Sequence, residues 1–88
     1  MLSLYEFSLL AEQQQFHYVF NECTFLASHV EDEIFTACLY HAPGPPKTSF
    51  FIEVWYNVAD NKIDSLRTFR ALRLLEPYLN GLDISKLL

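Results

Sequence analysis

Lysine and arginine are missing from residues 1–46, which hold six acids: Glu6, Glu12, Glu22, Glu31, Asp32 and Glu33. All six basic residues (Lys47, Lys62, Arg67, Arg70, Arg73 and Lys86) lie in residues 47–88 beside five acids, and the formal net charge is −5. Binding to nucleic acid by counterion release needs a basic footprint, so no nucleic-acid partner is expected. No anionic membrane surface is expected as a partner, on the same ground. Glycine is almost absent: Gly44 and Gly81 are too few for a loop that cradles phosphate. Two cysteines, Cys23 and Cys38, are too few for a disulfide framework. Both sit among apolar residues and read as reduced, buried thiols, which suits the cytoplasm. No apolar run approaches the roughly 18 residues of a membrane span. The start Met1-Leu2-Ser3-Leu4-Tyr5-Glu6 has no positive n-region, so no signal peptide is expected.

What is present is apolar surface. The 88 residues are 51% hydrophobic and 16% aromatic, with eight Phe, five Tyr and one Trp, which excludes a disordered tail and predicts one small domain over 1–88. Ser3 and Glu6 have capping-box spacing at the start of a helical region. Phe16, Val19, Phe20 and Cys23 fall at i, i+3, i+4 and i+7, an apolar helical stripe. The region is one helix, or two with a break near residue 8 and Ser8 as the second cap. From Thr24 the period becomes two. Two apolar runs, ending at His41 and joined by Glu31-Asp32-Glu33, read as a hairpin with a charged tip. Three prolines and a glycine make 42–49 a loop. Phe50 to Asn57 is the strongest strand, and Ala59-Asp60-Asn61 is a turn signal. Leu66, Phe69, Leu72, Leu75 and Leu79 have helical spacing, yet Ile63, Arg67 and Phe69 also share a strand face. We expect a strand over 61–69 and a helix over 71–80. The fold class is then α+β: an N-terminal helical region, a four-stranded antiparallel meander and a C-terminal helix.

Catalytic and metal signals are weak. His17, His29 and His41 form no HxxxH or HExxH spacing, and the cysteines form no CxxC, so no metal or cofactor is expected. Cys38 lies mid-strand. Cys23 ends a helix beside Glu22, which raises a thiol pKa rather than lowering it. The serines lack a GxSxG elbow. The chain therefore reads as a non-enzyme. Arg67, Arg70 and Arg73 are the one basic cluster. They either anchor an anionic ligand or an acidic peptide, or pair with Glu53, Asp64 or Glu76.

Phe51-Ile52-Glu53-Val54-Trp55-Tyr56, followed by Asn61, Ile63, Phe69 and Leu75-Glu76-Pro77-Tyr78-Leu79, resembles a family of small uncharacterised bacterial α+β proteins. Thr24-Phe25-Leu26 after an N-terminal helix matches the same pattern, and the prolines at 43–46 depart from it. The resemblance covers about residues 16–80. It implies a strand at 61–69 and no known activity.

The most informative feature is strand 50–57. Phe50, Ile52, Val54 and Tyr56 share one face; Phe51, Glu53, Trp55 and Asn57 share the other. Residues 34–41 likewise carry Phe35 and Leu39 opposite Cys38 and Tyr40. So short a chain has little helix to cover two apolar faces. The second face, with Phe35, Leu39, Phe51, Glu53 and Trp55, is expected to be an interface, giving a homodimer through the sheet. Otherwise residues 82–88 fold back over it. The leading expectation is a cytoplasmic protein-interaction module, with a basic protein, such as the toxin of an operon pair, as a second partner for the acidic half. The alternative is a small-ligand domain with a pocket of Trp55, Tyr56, Tyr40 and Phe51 anchored by Arg67 and Arg70.

Overall fold

The computed structural model of the chain describes residues 1–45 and 47–81. Ser3 opens α1 (Leu4–Ser8): its Oγ accepts the Glu6 amide at 3.1 Å, while Glu6 Oε1 accepts the Ser3 amide at 3.0 Å. Hydrogen bonding from Ser3, its backbone amide above all, holds the Glu6 carboxyl below its usual pKa. The chain breaks after Leu9 and re-enters helix as α2 (Glu12–Glu22), so the region is two helices. Ser8 does not cap the second. Its hydroxyl donates to the Tyr5 carbonyl at 2.7 Å, and Gln14 Oε1 accepts the Ala11 amide at 3.3 Å instead.

Four antiparallel strands follow in sequence order: β1 (Thr24–Val30), β2 (Phe35–His41), β3 (Phe51–Asn57) and β4 (Lys62–Phe69). The β1–β2 tip is held by Asp32, whose Oδ1 accepts the amides of Ile34 and Phe35 at 2.7 and 2.8 Å. The proline-bearing loop begins after Ala42, whose amide still donates to the Phe50 carbonyl at 2.9 Å. Asn61, at φ 53, takes the left-handed turn into β4. Residues 62–69 are strand despite their helical spacing, because each apolar side chain has a cross-strand partner: Leu66 lies opposite Val54, and Phe69 opposite Phe51.

The last described element is a 3-10 helix, Leu72–Gly81, and not the α-helix expected over 71–80. Pro77 lies within it. A proline there lacks an amide and its ring opposes a preceding α turn, which favours short, tighter winding.

The sheet carries two separate apolar clusters, one per face. Phe50, Ile52 and Val54 pack with Phe7 of α1 and Val19 of α2. Ala27, Ala37, Leu39, Phe51 and Phe69 pack beneath Leu75 and Tyr78 of the 3-10 helix. The chain therefore covers the middle of both faces by itself. Leu39 is 0% and Phe51 5% exposed, so the surplus of uncovered sheet is smaller than the sequence implies. The expectation about residues 82–88 lies outside the described residues. Among the described residues, no helix is long and apolar enough to cross a membrane.

Phe50 is fully enclosed and its ring lies 5.5 Å from that of Phe7. Phe50→Ala should cost about 3–5 kcal/mol in urea unfolding, the range for large-to-small core changes.

Candidate functional site

Strand alternation puts Glu53 on the same face as Phe51 and Trp55, and register puts it between Leu39 on β2 and Arg67 on β4. It is 3% exposed, the one buried charged residue among those described. A carboxylate in such a place needs donors in place of water. Three supply them. Trp55 Nε1 donates to Oε1 at 2.8 Å, and Arg67 Nη2 lies 2.8 Å from the same oxygen. The Tyr78 hydroxyl, from the 3-10 helix, donates to Oε2. Burial, and then the bond to Glu53, push the Tyr78 phenol far above its ordinary value of 10.0. It stays protonated and stays a donor. His29 of β1 sits edge-on to the Tyr78 ring at 6.0 Å.

The arginine cluster divides. Arg67 pairs with Glu53, and its guanidinium carbon lies 5.6 Å over the Phe69 ring. Arg70 turns the other way and donates to the Lys47 carbonyl, pinning the loop before β3. Arg73 joins Arg67, Leu74, Glu76 and Pro77 around an open cavity of about 470 Å³. The three side chains therefore do not form one row: Arg70 lies against the Lys47 loop, apart from the cavity that Arg67 and Arg73 line.

The residues expected to form an interface separate as well. Phe51, Leu39 and Glu53 are buried within the chain. Phe35 and Trp55 are half-buried and meet edge-on at 6.4 Å. The aromatic pocket expected as the alternative does not form, because Trp55 and Phe51 belong to one face while Tyr56 and Tyr40 pack against the other cluster.

A surface that the sequence reading missed lies on the helix-bearing face. Phe16 stacks on Phe20 at 6.3 Å, Phe20 meets Tyr40 at 5.9 Å, and Tyr40 meets Phe25 at 5.6 Å. Phe20 and Phe25 are 44% and 54% exposed. The helical stripe was the available signal, but only Val19 of its members is fully enclosed.

The cysteines and histidines lie apart from one another. Burial first and Glu22 second push the Cys23 thiol up to about 11, and burial raises Cys38 too, so both are protonated near neutrality. His29 faces Ala37 while His41 faces Thr24. His41 Nε2 lies 3.0 Å from Ser49 Oγ, and burial lowers the His41 pKa. Among the described residues, no three His, Cys, Asp or Glu side chains gather to hold a metal.

Removing the Tyr78 hydroxyl leaves Glu53 short of a donor, so Tyr78→Phe should cost about 1–3 kcal/mol in urea unfolding at neutral pH. The pH dependence has a defined sign. Above the ordinary phenol value of 10.0 the unfolded chain releases this proton while the folded chain keeps it, so stability falls with rising pH. In a denaturation series from pH 8 to about 11, Tyr78→Phe should lose less stability than the parent.

Compared with known proteins, the chain matches no family model, no curated protein and no solved structure. Nothing found there bears on the resemblance to small bacterial proteins.

Proposed function

We propose that the protein is a non-catalytic interaction module that self-associates through the free edge of its sheet at β1. The observation that carries this reading is the contrast between the two edges. β4 presents Lys62, Asp64 and Arg67, charges of the kind that discourage edge pairing. β1 (Thr24–Val30) has no Lys, Arg, Asp, Glu or Pro. Among the described residues, its backbone alternation leaves definite groups without a strand partner. The Glu31 amide donates to the Phe35 carbonyl at 3.0 Å, while the Ala42 amide after β2 donates to Phe50 before β3 and the Val58 amide after β3 donates to Ile34 before β2. By antiparallel alternation, Ala27 and His29 then point their amides at β2, and Ser28 and Val30 point theirs outward.

Exposed apolar side chains flank that edge. Val30 is 69% and Phe25 54% exposed, and Phe25 continues through Tyr40 to Phe20 and Phe16. A second copy laid antiparallel along β1 would satisfy the outward amides and bury these rings under a two-fold axis. The interface is therefore at the edge and its aromatic flank, rather than over Phe51 and Leu39. The free thiols Cys23 and Cys38 suit a reducing compartment such as the cytoplasm. A basic protein would meet the exposed acids Glu31, Asp32 and Glu33 at the hairpin tip, beside exposed Ile34 and Val58.

Light scattering on a size-exclusion column tests the reading. The parent chain should run as a dimer at about 100 µM. Val30→Lys and Ser28→Pro should run as monomers, with unfolding free energies within about 1 kcal/mol of the parent, since the proline removes only an outward amide. A parent chain that is monomeric at that concentration overturns it.

A further inference from the structure

We infer that the cavity between β4 and the 3-10 helix is a binding site for a small monocarboxylate with an apolar body, gripped by Arg67 and Arg73. The inference is independent of self-association at β1, because the site lies at the opposite edge strand.

The cavity has the size of a ligand pocket, about 470 Å³. Among the described residues that line it are two arginines, with Leu74, Pro77 and Glu76 beside them. Arg67 is held in place before any ligand arrives. Glu53 fixes one end of its fork at 2.8 Å, the Phe69 ring lies beneath it at 5.6 Å, and its side chain remains 53% exposed. A guanidinium has five N–H donors, so engaging one nitrogen with Glu53 leaves others directed outward. Arg73 projects from the 3-10 helix; it is exposed and makes no ion pair among the described residues. Ordering a long arginine side chain is a large part of the cost of gripping an anion, and the Glu53 contact has already met that cost for Arg67.

The charge balance selects the class of anion. Glu53 offsets Arg67, and Glu76 stands on the cavity wall with Arg73. Among the described residues Arg73 is the lining guanidinium without an ion partner, and the Glu76 carboxylate beside it repels a dianion such as phosphate about twice as strongly as a single charge. A planar carboxylate matches the guanidinium fork with a single charge, and Leu74 and Pro77 give its apolar part an apolar wall.

The same arrangement supplies a reporter. Trp55 is the only tryptophan, and its Nε1 donates to the Glu53 oxygen that Arg67 also contacts. A carboxylate that draws on Arg67 changes the environment of that indole.

The test titrates the full chain with sodium benzoate, and separately with inorganic phosphate at matched ionic strength, following the Trp55 indole and arginine side-chain resonances by NMR. Benzoate should give saturable shifts with a dissociation constant on the order of 1 mM, and phosphate should bind at least about tenfold more weakly. Arg73→Gln should weaken benzoate at least about tenfold, and Glu76→Gln should tighten it a few-fold, with the indole resonance of the free protein unchanged in both. Opposite effects of two single-charge changes on one wall separate a binding role from a structural one. Absence of saturation with benzoate overturns the inference. So does equal binding of phosphate, or an affinity that neither substitution moves.

Discussion

A carboxylate taken out of water loses solvation worth several kcal/mol, and it remains charged in a protein only where donors replace that water. Glu53 meets this constraint at the centre of the sheet, and much of the structure follows from it. Its three donors come from three places: Trp55 on its own strand, Arg67 on the neighbouring strand, and Tyr78 on the last helix. Apolar burial under Leu75 is non-directional and would tolerate sliding of the helix over the sheet. The Tyr78 bond adds direction. It fixes where the 3-10 helix crosses, which in turn shapes the cavity on its β4 side. The same carboxylate orients the Arg67 fork that opens into that cavity. One buried charge thus links the closing of a face to the geometry of a candidate site.

The two faces are closed by different means, and the difference explains where surface is left over. Short helices α1 and α2 bring Phe7 and Val19 over Phe50, Ile52 and Val54. They do not enclose the aromatic row at the β1 side, where Phe20 and Phe25 remain largely accessible. The other face is covered over Phe51 and Leu39 by Leu75 and Tyr78 of the 3-10 helix. Among the described residues, the apolar surface left accessible lies on the helix-bearing face beside the β1 edge, and not over Phe51 and Leu39. An edge offers backbone hydrogen bonds as well as apolar area, so it is the more demanding surface to leave open in a monomer.

Much of this was legible in the residues. The alternation at 50–57 separates the two faces correctly, since it depends only on the two-residue period of a strand. The Ser3–Glu6 cap was legible because both partners lie within one turn. The strand at 62–69 was less so: Leu66 and Phe69 fit both periods, and cross-strand contacts with Val54 and Phe51 decided between them. Pro77 carried the sign of an irregular helix, yet the winding depends on what the helix rests against. The Tyr78–Glu53 bond spans 25 residues, and no local pattern announces such a contact. A charged residue on an otherwise apolar strand face was the available hint that a donor must arrive from elsewhere. Arg70 looks like its neighbours in the sequence, and only the loop near Lys47 separates its role from theirs.

The winding of the final helix sets a rule for how its length can change. In a 3-10 helix, residues three apart lie almost directly above one another, and each residue advances the chain by about 2 Å. Leu75 and Tyr78 both reach the sheet because they share such a line. Inserting or deleting a single residue between them would rotate the phenol by about a third of a turn, away from its carboxylate. A whole triplet would restore the orientation yet carry the phenol about 6 Å along the axis, so a chain that keeps this contact tolerates no change of length between Leu75 and Tyr78.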